Sequence, residues 1–443
     1  MSFEPFNGVT PPNEWKTRLV KDIAVVNERS IKKSDRIDTI QYIDIAAVNH
    51  RNIDQLQTFK LNDAPSRARR IVQDNDILIS TVRPNLKHYT MIRKAEPDMI
   101  ASTGFAVISP KRVHPDFLYY YLTSDSYTRY LTQIAEGQTS AYPAFNSDII
   151  ENTVIYLPPE NEQCEIGEML ASVDKKIELN NAINKNLEEM AQALFKRWFV
   201  DFEFPNENGE PYKSSGGEFE ESELGLIPKG WKVRTLGEFC EISTTSINPA
   251  TLSDIIFEHY SIPAFDSGRL PVFESGYEIK SNKYKVSKNS ILVSKLNPET
   301  KRIWDPYCLT EHAICSTEFM NYIPIESRLR AYCYSILNSE GFHQYLIGNT
   351  TGSTNSRQRV NPKGTLHYTF AFGGTDIAYT FNDLVSAIYK KVNENTLENK
   401  YLASIRDTLL PKLMSGEIRV PVEQDHNDPD LPMVAERSAN YQP

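Results

Sequence analysis

Two stretches of the chain carry a repeating pattern of apolar residues at alternating intervals of four and three. The stretches cover residues 166–198 and 381–413. A period of 3.5 residues held over more than four heptads is typical of a coiled coil, so each stretch predicts a helix of about 38 residues and about 57 Å. The seam positions are Ile166, Leu170, Val173, Ile177, Asn180, Asn184, Leu187, Ala191, Leu194 and Trp198, and then Phe381, Val385, Ile388, Val392, Asn395, Asn399, Leu402, Arg406, Leu409 and Leu413.

Two adjacent seam layers of each helix are asparagine instead of apolar. They are Asn180 and Asn184 in the first helix, and Asn395 and Asn399 in the second. Polar seam residues lower stability but fix the register and the partner of a helix pair. In an antiparallel pair we expect Asn180 beside Asn399 and Asn184 beside Asn395, with the four amides in one polar layer. The alternative is a shifted frame that leaves these amides on the surface.

The segments in front of the two helices mix strands with shorter helices. Apolar, β-branched runs at residues 77–82, 106–108 and 154–157 are bounded by Pro, Asn and Gly, which predicts strands. Residues 115–133 have near-helical spacing after a Pro-Asp start and predict a helix, and residues 328–347 repeat that pattern. Each block is therefore expected to be α+β.

The two halves of the chain repeat one another at an offset of about 215 residues. PNEWKTR at 12–18 recurs as PKGWKVR at 228–234, DILISTVRP at 76–84 as SILVSKLNP at 290–298, ASTGF at 101–105 as CSTEF at 315–319, and FN at 145–146 as VN at 360–361. Coincidental strand and turn composition is the alternative explanation. Matches in the same order favour one fold that was duplicated, with pseudo-twofold symmetry.

This repeat predicts six segments. They are a first block at residues 1–158, a first long helix at 159–204, an acidic and Gly/Ser-rich linker at 205–227, a second block at 228–374, a second long helix at 375–416, and a polar tail at 417–443. Because each repeat is a block followed by a helix, the two blocks are expected to share one fold.

Charge and composition narrow the class of protein. The 443 residues carry a net charge of −10, which is concentrated at residues 161–230 (net −8) and 375–443 (net −4), so the two blocks are nearly balanced. An acidic total therefore does not exclude nucleic acid as a ligand. The five cysteines form no CxxC pair, which predicts a reducing cytoplasm without disulfides or a zinc cluster. We expect neither a membrane span nor a signal peptide.

Motifs of catalysis are absent from the sequence. GxGxxG, the P-loop, HExxH, GxSxG and the Asp/Asn-Pro-Pro-aromatic tetrapeptide of amino-methyltransferases do not occur. The eight histidines form no i,i+3 or i,i+4 pair. Asp74, Asp76 and Lys87 could be assembled into a nuclease site, but the second repeat has Lys288 and Ser290 at the positions of the two acids. We expect no catalytic residue and no metal site.

Basic and amide side chains surround the same predicted strand in both halves. Lys and Arg supply phosphate contacts, whereas Arg, Asn and Gln can read base edges. A second polar loop precedes the last strand of each block. Ordinary solvated loops have a similar composition, but the pairing across the repeats favours DNA binding. The predicted DNA-binding residues are Arg67, Arg69, Arg70, Arg83, Asn85, Lys87, His88, Gln138, Ser140 and Tyr142 in the first half, and Lys283, Lys285, Lys295, Asn297, Arg302, Ser353, Asn355, Arg357, Gln358 and Arg359 in the second.

Three motifs complete the picture: WFVDFEFP at 198–205, LGLIPKGW at 224–231 and LLPKLMSGEI at 409–418. With the order block, helix, block, helix, the chain resembles the specificity subunit of type I restriction-modification systems over nearly its whole length. The resemblance implies an α+β fold in which two homologous α/β target-recognition domains are separated by two long antiparallel coiled-coil helices. Recognition-domain sequence varies widely in this family, so base-reading residues do not carry over.

The resemblance also implies a function. It implies a non-catalytic subunit that binds double-stranded DNA, reads one half of a bipartite asymmetric target with each domain, and sets the spacing with its helices. The implied partners are two modification subunits, which methylate adenine with S-adenosylmethionine, and restriction subunits, which use ATP and Mg. The chain itself is expected to hold no cofactor and to work in the cytoplasm, away from membranes. The alternative is a stand-alone methyltransferase or nuclease with an unrecognised site.

Overall fold

The computed structural model describes residues 3, 9–32, 35, 37–49, 51–53, 56–138, 142–351 and 358–421. The chain divides into two compact units, each described separately. Unit 1 comprises Met1–Ile177 and Lys400–Pro443, and unit 2 comprises Glu178–Asn399. Both boundaries fall inside long helices, so each unit contains part of both.

Unit 1 is built from short strands and helices on the first part of a long helix. Its helices are α1 (Val20–Ile23), α2 (Pro115–Leu122), α3 (Asp125–Gln138), α4 (Asp148–Glu151) and the first part of α5 (Glu160–Phe199). Its strands are β1 (Lys16–Leu19), β2 (Ala24–Val26), β3 (Thr39–Ile43), β4 (Val48–Asn49), β5 (Asn52–Ile53), β6 (Gln57–Lys60), β7 (Ala68–Ile71), β8 (Ile77–Ser80), β9 (Tyr89–Met91), β10 (Met99–Ser102), β11 (Phe105–Pro110) and β12 (Val154–Leu157).

Two four-stranded sheets form the centre of unit 1. One is antiparallel with the order β2-β11-β8-β9, and the other has the order β6-β3-β10-β7 with β3 and β10 parallel. Strand β8 is buried along its whole length, which explains why its sequence is continuously apolar instead of alternating. The main core joins this sheet to α2, to the start of α5, and to Leu413 near the C-terminal end of the second long helix.

Unit 2 repeats this plan. Its helices are α6 (Ile262–Asp266), α7 (Arg330–Leu337), α8 (Glu340–Gly348), α9 (Pro362–Thr365) and the first part of α10 (Thr375–Ser415), together with the second part of α5. Its strands are β13 (Phe219–Ser222), β14 (Gly225–Pro228), β15 (Lys232–Thr235), β16 (Cys240–Ser243), β17 (Ser246–Ile247), β18 (Ile256–Tyr260), β19 (Val272–Ser275), β20 (Lys283–Lys285), β21 (Ile291–Ser294), β22 (Ile303–Trp304), β23 (Ala313–Cys315), β24 (Phe319–Pro324), β25 (Thr350–Thr351), β26 (Arg359–Val360) and β27 (Thr369–Phe372).

The strand order of unit 2 matches that of unit 1. The sheet β16-β24-β21-β22 corresponds to β2-β11-β8-β9, and β17-β20-β23-β18-β19 corresponds to β7-β10-β3-β6 with one more strand. At the position of that additional strand, unit 1 has an isolated bridge between Ser30 and Arg70. The pairs β1–β12 and β15–β27 also correspond. The internal repeat of the sequence is therefore present in the strand order of the two units.

The long helices keep their predicted seam away from solvent. Helix α5 has 40 residues and α10 has 41, and none of the twenty seam residues is exposed. Within unit 2, Asn180 donates to Asn399 at 2.8 Å and Asn395 donates to Asn184 at 2.9 Å. These are the two pairs that the sequence offset predicts. Residue numbers rise along α5 as they fall along α10, so these stretches of the two helices are antiparallel within unit 2. Asn180 and Asn395 are buried, which excludes the shifted frame for both residues.

Each repeated tryptophan motif packs at the C-terminal end of a long helix. In unit 1, Gly416 ends α10 with a φ of +77°, and a Cβ at this glycine would lie 2.4 Å from Pro12. The Trp15 indole donates to Glu162, which also binds Arg419. Residue 419 belongs to the predicted polar tail, so its start is bound to the core; residues 422–443 lie outside the described residues.

In unit 2, the equivalent Trp231 packs beside the end of α5. Its ring lies 6.1 Å from Phe199 and 5.5 Å from Phe202. The helix is followed by an Asp201 carboxylate that accepts from Lys196 at 2.7 Å. The WFVDF motif therefore contains the end of α5 and supplies the apolar side chains on which Trp231, at the start of the second repeat, packs.

The segment at 205–227 is not the plain linker that its composition predicts. It contains the β13–β14 hairpin, and Phe204 lies 4.7 Å from the rings of both Tyr212 and Trp231. Aromatic residues spaced among the acidic ones bury one side of the segment, so it folds despite its charge. Its acidic face is nevertheless exposed to solvent, with the carboxylates of Glu218, Glu220, Glu221 and Glu223.

A charged cluster is buried where α5 and α10 meet in unit 1. The Asp174 carboxylate contacts the guanidinium groups of Arg406 and Arg51 and accepts from Tyr120 Oη at 2.6 Å. The Arg51 guanidinium also lies 5.0–5.6 Å from three tyrosine ring centres. One half-buried carboxylate therefore serves two cations, and the other carboxylate bound to Arg406, that of Asp407, is exposed.

No helix in the described part of the chain is long and apolar enough to cross a membrane.

We predict that Asp174→Asn destabilises the protein by about 3 kcal/mol, because it leaves two buried guanidinium groups without their shared counter-charge. Equilibrium urea unfolding measures the change. The matched control is Asp407→Asn, which removes an exposed carboxylate from the same Arg406 and should cost less than about 1 kcal/mol. Equal losses of stability in the two variants would show that the burial of the Asp174 carboxylate does not set its contribution.

Candidate nucleic-acid interface

In unit 1, the loop that follows β8 lies against the segment that precedes β12. Thr81 N donates to Gly104 O at 2.9 Å, and Phe145 N donates to Thr81 O at 3.0 Å. Arg83 N donates to Pro143 O at 2.8 Å, and Val82 forms a β-bridge with Ala144. Tyr142, from the second predicted cluster, therefore lies on the same surface as the loop that contains Arg83. We call residues 81–88 with 142–145 the loop pair of unit 1.

Unit 2 builds the same frame after β21. Lys295 N donates to Glu318 O at 2.9 Å, and Val360 N donates to Lys295 O at 3.1 Å. Asn297 N donates to Gln358 O at 3.0 Å, and the β-bridge joins Leu296 to Arg359. Residues 295–302 with 358–360 are the loop pair of unit 2. Each of these main-chain bonds has its counterpart in unit 1 at an offset of 214 to 215 residues.

At the same point of each loop pair, a residue other than glycine has a left-handed backbone conformation. The φ angle is 48° at Arg83 and 47° at Asn297. A left-handed conformation costs about 1 kcal/mol for a residue with a Cβ, although asparagine tolerates it better than arginine. Such strain persists only where surrounding bonds impose it and is common at binding sites. Here the main-chain bonds to residues 143 and 358 impose it.

The unit 1 loop pair presents exposed cationic and amide groups. The Arg83 guanidinium lies 5.1 Å from the Tyr142 ring centre, within cation–π range, and Asn85 is exposed. Lys87 is half-buried and donates to Asp125 at 2.7 Å. His88 is half-buried and its Nδ1 contacts Val48 O, so it supports the loop from inside.

The basic run before β8 adjoins this loop pair through one turn. Thr103 N donates to Arg67 O at 2.8 Å, and the next residue, Gly104, accepts from Thr81. Arg67 and Arg69 are exposed, whereas Arg70 is half-buried with Nη1 donating to Ser30 at 3.3 Å. The exposed residues Arg67 and Arg69 therefore lie at the start of β7, which one turn connects to the loop of Arg83.

In unit 2, carboxylates neutralise two of the predicted arginines. Arg359 Nε and Nη2 each donate to Glu318 at 3.0 Å, and Arg302 Nε and Nη2 donate to Asp266 at 2.7 and 3.0 Å. The bond from Arg359 holds the pKa of the partly buried Glu318 carboxyl below its usual value. Bidentate pairing fixes the plane of each guanidinium but removes net charge from the surface. The sequence alone missed Glu318, although CSTEF differs from ASTGF at this position.

Other predicted residues of unit 2 have mixed positions. Lys285 is exposed, whereas Lys295, Asn297 and Gln358 are half-buried. Lys283 is buried and donates to Ser281 O and Oγ, and burial lowers the pKa of its ammonium. The buried ammonium of Lys283 on β20 is bound to Ser281, so the structure corrects Lys283 from a predicted DNA contact to a residue that supports the fold.

Four predicted positions, Ser140, Ser353, Asn355 and Arg357, lie outside the described residues, as does the side chain of Gln138. The acids considered for a nuclease serve the fold instead. Asp76 is buried and accepts from Ser109 Oγ at 2.6 Å and from Gln73 N at 2.8 Å, and Asp74 accepts from Ala95 N at 2.7 Å. Both carboxylates thus hold the turn that precedes β8, Asp76 within the turn and to the end of β11, and Asp74 to the segment after β9.

Comparisons with known proteins show what the chain is similar to. Residues 12–189 match the family model "Type I restriction modification DNA specificity domain". The type I restriction enzyme HindI specificity subunit of Haemophilus influenzae is 26% identical, over 92% of this chain and 100% of that protein. The MjaIX specificity subunit of Methanocaldococcus jannaschii is 24% identical, over 92% and 94%.

The fold is also similar to a solved structure, the type I restriction-modification S subunit from M. genitalium. Its TM-score is 0.54 at 14% identity, and the similarity covers 91% of this chain and 98% of that one. Over nearly its whole length the chain is therefore similar to specificity subunits of type I restriction-modification systems, and its residues 12–189 match the DNA specificity domain of that family.

Proposed function

We propose that the two loop pairs contact two different halves of one bipartite, asymmetric double-stranded DNA target. Residues 1–158 and 228–374 would be the two target-recognition domains. The observation that supports this proposal is that both units have the same main-chain hydrogen bonds in their loop pairs but carry different side chains there. Unit 1 presents Arg83 stacked on Tyr142, whereas unit 2 has Asn297 and an Arg359 held by Glu318. Equivalent frames with different polar groups favour different half-sites.

We further propose that α5 and α10 form an antiparallel coiled coil that relates the domains by a pseudo-twofold and sets the spacing of the half-sites. The support is the apolar seam, the strand order that both units share, and the amide pairs within unit 2. Asn184 Nδ2 also donates to Thr396 at 3.2 Å and Asn399 Nδ2 to Asn181 at 2.9 Å, so the amides have specific partners. Specific partners are what a register device requires.

We propose that two copies of a modification subunit bind equivalent grooves, one in each unit. In unit 2 the groove contains Phe195 and Val200 of α5 with Leu224. In unit 1, the residues displaced by 215 positions, Leu410, Ser415 and Val9, line a groove as well. Val200 and Leu224 are exposed apolar side chains, and such residues are common at protein interfaces.

The remaining parts of the complex follow from the type I assignment. We propose that the modification subunits supply S-adenosylmethionine-dependent adenine methylation. Restriction subunits, which use ATP and Mg, would join through them. The five cysteines, all described, are free thiols, which fits a complex that works in the cytoplasm on the cell's DNA.

We predict that Arg83→Gln weakens DNA binding by the chain in complex with its modification subunits. The slope of log affinity against log salt should flatten by about one, because one phosphate contact is lost. Arg302→Gln makes the same change of charge at a guanidinium already held by Asp266, and it should leave the slope unchanged. Salt titrations of fluorescence anisotropy measure both. An unchanged slope in Arg83→Gln would show that this loop faces away from DNA.

Replacing residues 228–374 with the corresponding block of another specificity subunit should change one half-site and preserve the other. The reason is that each unit carries its own frame and its own side chains. Methylome sequencing of the host with the native and the exchanged gene gives the methylated motifs directly. A change in both half-sites would reject the assignment of one half-site to each unit.

Replacing all four seam asparagines with leucine should preserve or raise the stability of the helix pair, since both members of each amide pair are removed together. Of the other partners, Thr396 keeps its bond to Val392 O and Asn181 is exposed to water. Modification subunits in complex with this variant should methylate DNA targets with more than one half-site spacing. A slip of one heptad moves a helix by about 10 Å, roughly three base pairs. Val392→Leu, at an apolar seam position, is the control and should keep one spacing. A quadruple variant that also keeps one spacing would exclude a register role.

A further inference from the structure

Three side chains with metal-binding atoms converge in unit 1 where α5 passes the start of α2. They are His114, directly before α2, and Cys164 and Glu168 on α5, and their ligand atoms all lie within 4.8 Å of one another. Cys164 and Glu168 are one helical turn apart and share a face, with Sγ donating to Glu168 Oε1 at 3.3 Å. His114 Nδ1 is buried and has no hydrogen-bond partner among the described residues.

A glycine allows α5 to approach this histidine. A Cβ on Gly167 would lie 2.9 Å from His114 Nδ1 and 2.9 Å from Asp116 Cβ, so no other residue fits without displacing the ring. Glycine inside a helix costs roughly 0.5–1 kcal/mol relative to alanine, which makes a packing reason necessary. The neighbouring Gln163 holds the backbone of the same residue, because His114 N donates to Gln163 Oε1 at 2.9 Å.

The corresponding junction of unit 2 is closed by direct bonds. Asn382, which is 215 positions after Gly167, accepts from Ala331 N and Tyr332 N at the start of α7. Asp383, which corresponds to Glu168, forms an ion pair with Arg328 at 3.6 Å. Unit 1 has neither the amide nor this ion pair at the equivalent positions. In their place it has a thiol, a carboxylate and an imidazole whose ligand atoms lie within 4.8 Å of one another.

We propose that His114, Cys164 and Glu168 bind one divalent ion of the zinc class and that this ion fastens α2 to α5 in unit 1. Thiolate, imidazole and carboxylate together suit Zn²⁺, whereas a thiolate does not suit Mg²⁺ or Ca²⁺. Metal bonds of about 2.0–2.3 Å require ligand atoms somewhat closer than the outer limit of this cluster, which a small rotation of the partly exposed side chains provides. The thiol proton is released to solvent on binding, and water completes the fourth position.

The test uses the full chain, without a histidine tag, and Co²⁺ as a spectroscopic probe. One equivalent of Co²⁺ should produce the near-ultraviolet absorption of a thiolate–cobalt bond, and one equivalent of Zn²⁺ should remove it. Cys164→Ser should abolish the absorption, and Glu168→Gln should lower the affinity at least tenfold. Cys308→Ser, at a buried thiol of unit 2, should leave both unchanged. Circular dichroism establishes that each variant is folded.

Thermal unfolding gives a second readout that is independent of the cobalt spectrum. Zn²⁺ should raise the melting temperature of the native chain and of Cys308→Ser, but not that of Cys164→Ser, because only a folded site binds the ion. No thiolate absorption in the native chain, or absorption that survives Cys164→Ser, would overturn the proposal. Neither readout involves DNA, so the result is separate from the proposed recognition function.

Discussion

Two amides, those of Asn180 and Asn395, are buried between α5 and α10 within unit 2, and the register that we propose for the long helices depends on them. A purely apolar seam of this length has several registers of similar energy, since a slip of seven residues again pairs apolar side chains with apolar side chains. Asn180 and Asn395 are buried and pair with Asn399 and Asn184 in the register of the structure, and a slip would separate these amides. Leaving a buried amide unpaired costs about 1–3 kcal/mol, so a slipped pair loses several times the free energy of a single hydrogen bond. Specificity of register is therefore obtained at the expense of some apolar packing.

The parts of the fold that the sequence predicts are those carried by periodicity or by the repeat. Both long helices follow from the heptad spacing, and the equivalence of β8 with β21 follows from the offset of 214 residues. The hairpin at residues 219–228 was not predicted, because its glutamates dominate the composition while Phe204 and Tyr212, which stabilise it, lie outside the strands. Periodicity detects residues that face a common core, but a short hairpin held by a few aromatic contacts leaves no period.

The candidate interface was predicted as two clusters, and the structure joins them. Position along the chain does not reveal that Arg83 N reaches Pro143 O, because that contact depends on how the strands close. Counting basic residues also overestimates the positive charge of unit 2, since Glu318 and Asp266 each hold one of its arginines and Lys283 is buried. Sequence composition reports how many charges a segment carries, whereas burial and pairing decide how many remain available to an anionic ligand.

The duplication explains how one chain can hold equivalent sites with different chemistry. Main-chain hydrogen bonds keep the frame of both loop pairs, and these bonds do not depend on side-chain identity. The side chains could therefore diverge: Gly104 corresponds to Glu318, and Ala144 corresponds to Arg359. Side chains also differ at equivalent positions of the junction with the long helices, where unit 2 has Asn382 and unit 1 has Gly167. A frame fixed by the backbone tolerates substitution at its surface, and this is the property that the proposed recognition of two unlike half-sites requires.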